Sequence, residues 1–274
     1  MSNLISPIVI KIGGADGVPI EPTCADIAAQ VQAGKPVVVV HGGSGLANSL
    51  GEQIGHPPRF VTSESGHTSR YTDARTLEIF LMATGLLNRQ IVAQLQGLGC
   101  NAFGLSGLDG KTLQARRKEM LRIVENGKRK VLRDDFTGTI EQVAADGLSL
   151  LLSAGFTPVV APLAISQLNE PLNVDGDRAA AAIAAALHAQ TLVLLTNVTG
   201  LYRNFPDEAS LIASLPASKL PEALEQYAQG RMKRKVLAAQ EALQGGVAQV
   251  VISSARVPNP LSHALNGGGT QISR

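Results

Sequence analysis

Lys11 stands at the end of the apolar run PIVIKI, and Gly13 and Gly14 follow it closely. A lysine at a buried strand end is costly unless it meets an anion. The chain repeats the device in PVVVVHGGSG, and a third glycine loop lies in LSGLDG. Glycine lets backbone N–H groups face an anion with no Cβ in the way. One such loop reads as a tight turn, but three together with a lysine point to phosphate. None has the Gly-Lys-Ser/Thr ending of a P-loop or the spacing of GxGxxG, so a dinucleotide fold is not indicated.

Other residues could join this chemistry. Lys235 in GRMKRKV is a second cation, or a solvated helix lysine. Asp175 and Asp177 in NVDGDRAA stand where a loop enters an alanine-rich helix. Each is either an N-cap or a carboxylate that orients lysines or a metal. His41 is either a base or a hydrogen-bonded strand-end residue. His56, His67, His188 and His263 lack metal-ligand spacing, so no metal held by protein side chains alone is expected.

These residues need elements to place them. IVIKI, PVVVVHGG, NAFGLS, TPVVAP, QTLVLLT, AQVVIS and GTQIS read as strands. CADIAAQVQAG reads as a helix ending at Gly34, and TDARTLEIFLMATGLLNRQIVAQLQGLG as a long one capped by Thr72 or Asp73. IEQVAADGLSLLLSAG and GDRAAAAIAAALHA are read as helices, and LPEALEQYAQGRMKRKVLAAQEALQGG as helical around a glycine break. Asn126-Gly127 in RIVENGKRKVL signals a hairpin. Strand–helix alternation predicts an α/β fold, a mostly parallel central sheet sandwiched by helices. The turn-like LNEPLNVDGD suggests two lobes, residues 1–172 and 173–274.

The length of 274 residues and 45% hydrophobic content suit an ordered globular protein. The net charge of +2 does not point to nucleic acid. No 18-residue uncharged apolar run or signal-like N-terminus is visible. Cys24 and Cys100 read as reduced, buried thiols. A soluble cytoplasmic protein is expected.

In order along the chain, KIGGA, VVVVHGGSG, SRYTD, GLSGLDG, GFTPVVAP, LNVDGD, LTNVTGLY, GRMKRKV and GGGTQI resemble the motifs of the amino acid kinase family, and within it the acetylglutamate kinase branch. The resemblance implies transfer of the γ-phosphoryl group of ATP to a carboxylate, with Mg²⁺ held mainly by ATP phosphates. By motif, Lys11 and Lys235 match the lysines on the transferring phosphoryl, and Asp177 the aspartate that orients them. Gly13 and Gly14 match the phosphate-facing turn. Gly42, Gly43, Ser44 and Arg70, in an N-terminal acyl lobe, and Asn173, at its boundary, match the grip on the acidic substrate. Asn197, Val198, Gly200, Leu201 and Met232 match the nucleotide side, in a C-terminal ATP lobe.

Three motifs depart from the acetylglutamate kinase pattern. HTSRYTD replaces GMRVTD or GLRVTD, VDGDRAA replaces NADxxA, and GRMKRKV replaces GGMIPKV. All three resemble instead the lysine-biosynthesis kinases acting on aminoadipate joined to an acidic amino-group carrier protein. Residues 116–135 hold eight Arg or Lys and four Asp or Glu, 8 − 4 = +4. Arg116, Arg117, Lys128, Arg129 and Lys130 are therefore expected carrier contacts, beside a second cluster at Arg231, Lys233 and Arg234. The alternatives are a solvated surface, a free N-acetylglutamate kinase of arginine biosynthesis, and a non-catalytic nucleotide-binding regulator. The last is disfavoured by the retention of Lys11, Asp177 and Lys235. The ten residues before Lys11 lack the extra helix of hexameric relatives, so a homodimer is expected.

Overall fold

The computed structural model describes residues 6–14, 20–64, 66, 68–125 and 127–274. Asp16 and Gly17 of the first glycine loop, His67 and Asn126 lie outside the described residues. The chain begins β1 (Ile8–Ile12), α1 (Ile20–Gln32), β2 (Val37–His41), α2 (Ser44–Gln53), β3 (Phe60–Ser63), β4 (Thr68–Arg70), α3 (Ala74–Gly97) and β5 (Ala102–Ser106). It continues β6 (Leu113–Arg117), β7 (Leu121–Glu125), β8 (Lys128–Leu132), β9 (Gly138–Val143), α4 (Ala145–Ser153), β10 (Thr157–Ala161), β11 (Leu163–Ile165) and β12 (Pro171–Asn173). It ends α5 (Gly176–Ala186), β13 (Thr191–Thr196), β14 (Ser214–Pro216), α6 (Leu220–Gln226), α7 (Arg231–Gln244), β15 (Gln249–Ser254), α8 (Pro260–Leu265) and β16 (Thr270–Ser273).

Eight strands form the central sheet in the order β14-β16-β15-β13-β1-β2-β10-β5. Every pairing is parallel except β15–β16, so the expected mostly parallel sheet is present. β1, β2, β10 and β13 are buried along their whole length, which is why they read as unbroken β-branched runs. Strand alternation divides the core in two. Ile8, Ile10 and Ile12 pack with residues of α1, α3 and α8, whereas Val9 packs with α5 and α7. Lys11 shares the Val9 face, and its register partners Val40 and Leu194 belong to that same core. Chain alternation alone therefore sends Lys11 toward α5 and α7.

Two smaller sheets flank this frame, in the orders β12-β11-β6-β9 and β4-β3-β7-β8. The hairpin forms as β7–β8, with Glu125 opposite Lys128 and Gly127 at φ 73. The capping residue of α3 is Asp73, which accepts from Thr76 N–H at 2.8 Å. A left-handed Gly230, φ 51, separates α6 from α7.

Two expectations change. IEQVAADGLSLLLSAG is not one helix: its start belongs to β9, and α4 begins at Ala145. Ile140 sits opposite Ala115 and Val143 opposite Leu113, so pairing with β6 overrides local helix preference. Ser44 and Gly45, read as the end of the second glycine loop, instead open α2, which has small residues on its buried face. Residue 172, where the lobe boundary is expected, lies in β12, the last strand before α5.

Candidate active site

Lys11, Asp177 and Lys235 come together from β1, α5 and α7, each more than nine-tenths buried. Lys11 Nζ lies 2.8 Å from Asp177 Oδ1. Lys235 Nζ donates to Oδ2 at 2.9 Å and to Oδ1 at 3.0 Å. Burial alone would raise the Asp177 pKa, but the two ammonium groups outweigh it and hold the carboxyl well below the usual range. Burial lowers the pKa of Lys235, with Lys11 adding to that push and Asp177 opposing it. Two cations and one carboxylate leave a net +1 in a buried place, an arrangement that favours a further anion.

The sequence left two roles open at NVDGDRAA, and the structure divides them. Asp175 is the N-cap: its Oδ1 accepts from Asp177 N–H at 3.0 Å and Arg178 N–H at 3.1 Å. That frees the Asp177 side chain for the lysines. Arg178 then pairs fork to fork with Glu241, at 3.0 and 2.7 Å, and ties α5 to α7. α5 is largely alanine, the best helix former, and alanine lets α7 approach closely.

The first two glycine loops support each other. A Cβ on Gly14 would meet Gly43 N at 2.1 Å and Gly42 Cα at 2.5 Å; one on Gly42 would meet Gly14 N at 2.4 Å. Gly42 N–H donates to Ile12 O at 3.0 Å, and Gly45 N–H to Gly14 O at 2.7 Å. Close contact between the loops is thus what excludes side chains at Gly14 and Gly42. Beyond it α2 starts at Ser44 with no side-chain cap. Helix starts present unpaired N–H groups and favour anions.

His41 resolves as the strand-end residue. It is fully buried, its Nδ1–H donates to Gly42 O at 2.6 Å, and its Nε2 accepts from Asn88 Nδ2 at 3.1 Å. Burial, aided by Lys11, lowers its pKa to about 4.

Arg70 reaches from β4 to α2. Its Nη2 donates to Asn48 Oδ1 and to Ser44 O, the latter at 3.3 Å. Its guanidinium lies 5.1 Å from the Phe60 ring centre. Burial and the nearby Arg231 both lower its pKa. Asn173, at the end of β12, donates from Nδ2 to Thr72 Oγ1 at 3.1 Å. Arg234 donates to Thr68 O at 2.6 Å and lies 3.5 Å from Asp175, so α7 touches both α5 and β4. The sequence points to Thr72 only as a possible helix cap and does not point to Asn48. Asn48 follows Ser44 by one helical turn, a signal visible only once α2 is recognised as a helix.

The nucleotide-side residues separate by exposure. Asn197 is exposed and Val198 partly so. Gly200 packs on Thr270, whose Oγ1 a Cβ would meet at 2.5 Å. Leu201 is buried and donates its N–H to that same Oγ1 at 2.8 Å. Met232 is half-buried against the α5–α7 core.

The basic segment spans two sheets. Arg116 and Arg117 lie on β6, whereas Lys128, Arg129 and Lys130 lie on β8. Arg117 faces inward: it pairs with Glu170 at 2.8 Å, donates to Asp135 O and stacks 3.7 Å from the Phe136 ring centre. Arg116 pairs with Glu141, Arg129 with Glu64 and Lys130 with Glu125. The positive field is therefore weaker than the residue count suggested. Among the described residues no group of three or more His, Cys, Asp or Glu could hold a metal ion. No helix among them is long and apolar enough to cross a membrane.

Comparison with known proteins gives the same picture. The chain is 54% identical over 271 residues to the LysW-aminoadipate kinase of Deinococcus radiodurans, covering 98% of this chain and 92% of that protein. It is 50% identical over 268 residues to the LysW-aminoadipate kinase of Thermus thermophilus, covering 97% and 99%. Among solved structures, the N-acetylglutamate synthase of Neisseria gonorrhoeae, complexed with coenzyme A and N-acetyl-glutamate, superposes with a TM-score of 0.79 at 28% identity. That match covers 98% of this chain and 59% of the longer synthase chain. The carbamate kinase of Giardia lamblia bound to AMP-PNP shares the fold, with a TM-score of 0.66 at 16% identity over 98% of both chains. The amino acid kinase family model matches residues 6–254, and the chain belongs to the amino acid kinase family.

Proposed function

We propose that this protein phosphorylates the side-chain carboxylate of L-2-aminoadipate whose amino group is joined to a LysW-type carrier protein, using ATP and forming an acyl phosphate in lysine biosynthesis. The observation that carries the phosphotransfer chemistry is the buried Lys11–Asp177–Lys235 cluster. The acceptor follows from the two kinases of that name at 54% and 50% identity.

A side-chain carboxylate ordinarily titrates near pH ~4.3, so the acceptor is already ionised at neutral pH. It needs no general base, consistent with a neutral, buried His41. The barrier is the approach of two anions, so catalysis is positioning and charge neutralisation. Lys11 and Lys235 would lie against the transferring phosphoryl, held at fixed spacing by Asp177. The turn at Gly13 and Gly14 and the start of α2 would offer N–H groups to its oxygens. Gly42, Gly43, Ser44 and Arg70, in an N-terminal lobe of residues 1–172, would grip the acceptor together with Asn173 at the lobe boundary. Asn197, Val198 and Met232, with Gly200 and Leu201 shaping their loop, would face the nucleotide in a lobe of residues 173–274. Mg²⁺ would bind chiefly to ATP phosphates.

The exposed β8 residues Lys128, Arg129 and Lys130, together with Arg116, would meet the acidic carrier. A homodimer is supported by the exposed apolar side chains Met82 and Leu86 on α3 and Phe103 on the sheet-edge strand β5. The free, buried Cys24 and Cys100 suit a cytoplasmic setting.

The test is to trap the product. Purified protein, ATP, Mg²⁺ and carrier-linked aminoadipate are incubated with hydroxylamine. A hydroxamate formed in step with ADP is expected; ADP without hydroxamate, or neither, contradicts the proposal.

A further inference from the structure

Asp134 and Asp135 follow β8, and their side chains hold two consecutive residues of the segment leaving β4. Asp134 accepts from the Tyr71 hydroxyl. Asp135, fully buried, accepts from Thr72 N–H at 2.9 Å through Oδ1 and from the Thr137 hydroxyl through Oδ2. The backbone completes the clamp: Phe136 N–H donates to Thr72 O at 2.7 Å, and Asn173 N–H to Phe136 O at 2.9 Å. Arg117 braces it, stacking over the Phe136 ring and donating to Asp135 O. Thr72 is itself fully buried.

The Thr72 hydroxyl has one proton. It points to Arg70 O at 3.5 Å, a long contact, and the oxygen accepts from Asn173 Nδ2 at 3.1 Å. A hydroxyl that gives its proton to a carbonyl meets the amide only as an acceptor. The Asn173 carboxamide is then turned with Nδ2 toward Thr72 and Oδ1 away from it. Asp73 caps α3, so the Thr72 hydroxyl is not needed for the helix start.

We propose that Thr72 is a positioning residue for the acyl acceptor. Clamped by Asp135, it fixes the rotation of the Asn173 carboxamide relative to Arg70. The two side chains thereby hold one spacing before substrate arrives. This inference rests on the acceptor-binding role proposed above for Arg70 and Asn173.

The test compares Thr72→Val, which removes only the hydroxyl contact, with Thr72→Ser, which keeps it. Steady-state kinetics are measured against carrier-linked aminoadipate and against ATP. Thr72→Val should raise KM for the acceptor by about 5- to 20-fold, the size of one lost hydrogen bond to a binding group, with KM for ATP within about two-fold. Thr72→Ser should stay within about three-fold on both. In an Asn173→Ala background, Thr72→Val should cost nothing further, because its effect passes through Asn173. Asp135→Asn, which keeps an oxygen for Thr72 N–H, probes the clamp from the other side and should raise KM for the acceptor alone.

A Thr72→Val enzyme with wild-type acceptor KM, with both KM values raised together, or with a penalty that persists beside Asn173→Ala overturns the inference. So does an Asp135→Asn enzyme whose two KM values rise equally. If Asn173→Ala leaves acceptor KM unchanged, the acceptor-binding role fails and the inference fails with it. If Asn173→Ala raises it and Thr72→Val does not, the inference fails alone.

Discussion

Lys235 Nζ lies 2.9 and 3.0 Å from the two carboxylate oxygens of Asp177, with both side chains buried and Lys11 on the other side. Breaking a buried ion pair by removing one partner is strongly destabilising. Asp177→Asn leaves two buried ammonium groups without their carboxylate. Turnover should fall by about 10²-fold or more, and stability without nucleotide by about 3–5 kcal/mol. ATP, which supplies the missing anion, should raise the variant's Tm more than that of the wild type. Lys11→Ala should lose turnover to a similar degree with a smaller loss of stability, because Asp177 keeps Lys235. An Asp177→Asn enzyme with normal turnover would reduce this residue to a helix-start carboxylate.

His41 makes the fold sensitive to acid. Its pKa is lowered to about 4 by burial, against about 6.5 in the unfolded chain. Between these values the unfolded state binds the proton first, so stability is lost as pH falls from about 6.5 to about 4. The loss is of order 3 kcal/mol. Asp177, held below the usual carboxylate range, gives stability that is lost only under about pH 4, outside most of this window. Urea midpoints measured across pH should slope in the wild type and flatten in His41→Gln. A flat wild-type curve would contradict a neutral, buried His41. The rate should show no histidine inflection between about pH 6 and 8.

Gly14→Ala should abolish most activity, because its Cβ would sit 2.1 Å from Gly43 N. The two glycine loops would have to separate, moving Ser44 and the start of α2. Gly34→Ala is the informative control. Gly34 is also a loop glycine, at φ 82 with nothing within 4 Å of its Cβ position. It should lose stability from backbone strain yet keep turnover and KM for both substrates. Equal losses of activity in the two variants would argue against a catalytic use of the loop contact.

What the sequence made legible follows from where each interaction lies. Lys11 stood out because a lone charge interrupted a β-branched strand beside glycines, a local signal. The parallel sheet was legible for the same reason: its inner strands are buried on both faces. Lys235 and Asp177 were ambiguous because their partners come from distant elements, and nothing local separates a buried helix lysine from a solvated one. Asp175 and Asp177 were distinguishable only once the first turn of α5 assigned the cap to one of them. Strands β3, β4, β11 and β12 are three or four residues long, too short for alternation to emerge. Arg117 counted toward the positive charge although it faces Glu170 and Phe136. Composition does not record which way a charge points.

The double reversal Arg129→Glu with Lys130→Glu on β8 should weaken use of a protein-linked acceptor. Both residues are exposed, and their partners Glu64 and Glu125 lie on the same sheet region, so the reversal also places like charges together. Steering acts mainly on association and fades with salt. The defect should appear in kcat/KM for the carrier, shrink for a small N-acylated amino acid, and show a flatter salt response than the wild type. Identical salt dependence in both enzymes would make the patch a solvated surface.

The identity of the acceptor decides what this enzyme makes. The most direct measurement is kcat/KM for ATP-dependent phosphorylation of carrier-linked aminoadipate, carrier-linked glutamate and free N-acetylglutamate under one set of conditions. One methylene separates the first two, a difference worth about 10- to 200-fold in an apolar pocket. Carrier-linked aminoadipate is predicted to be the best of the three, with free N-acetylglutamate far behind. A kcat/KM for free N-acetylglutamate equal to or above that of carrier-linked aminoadipate would contradict the account.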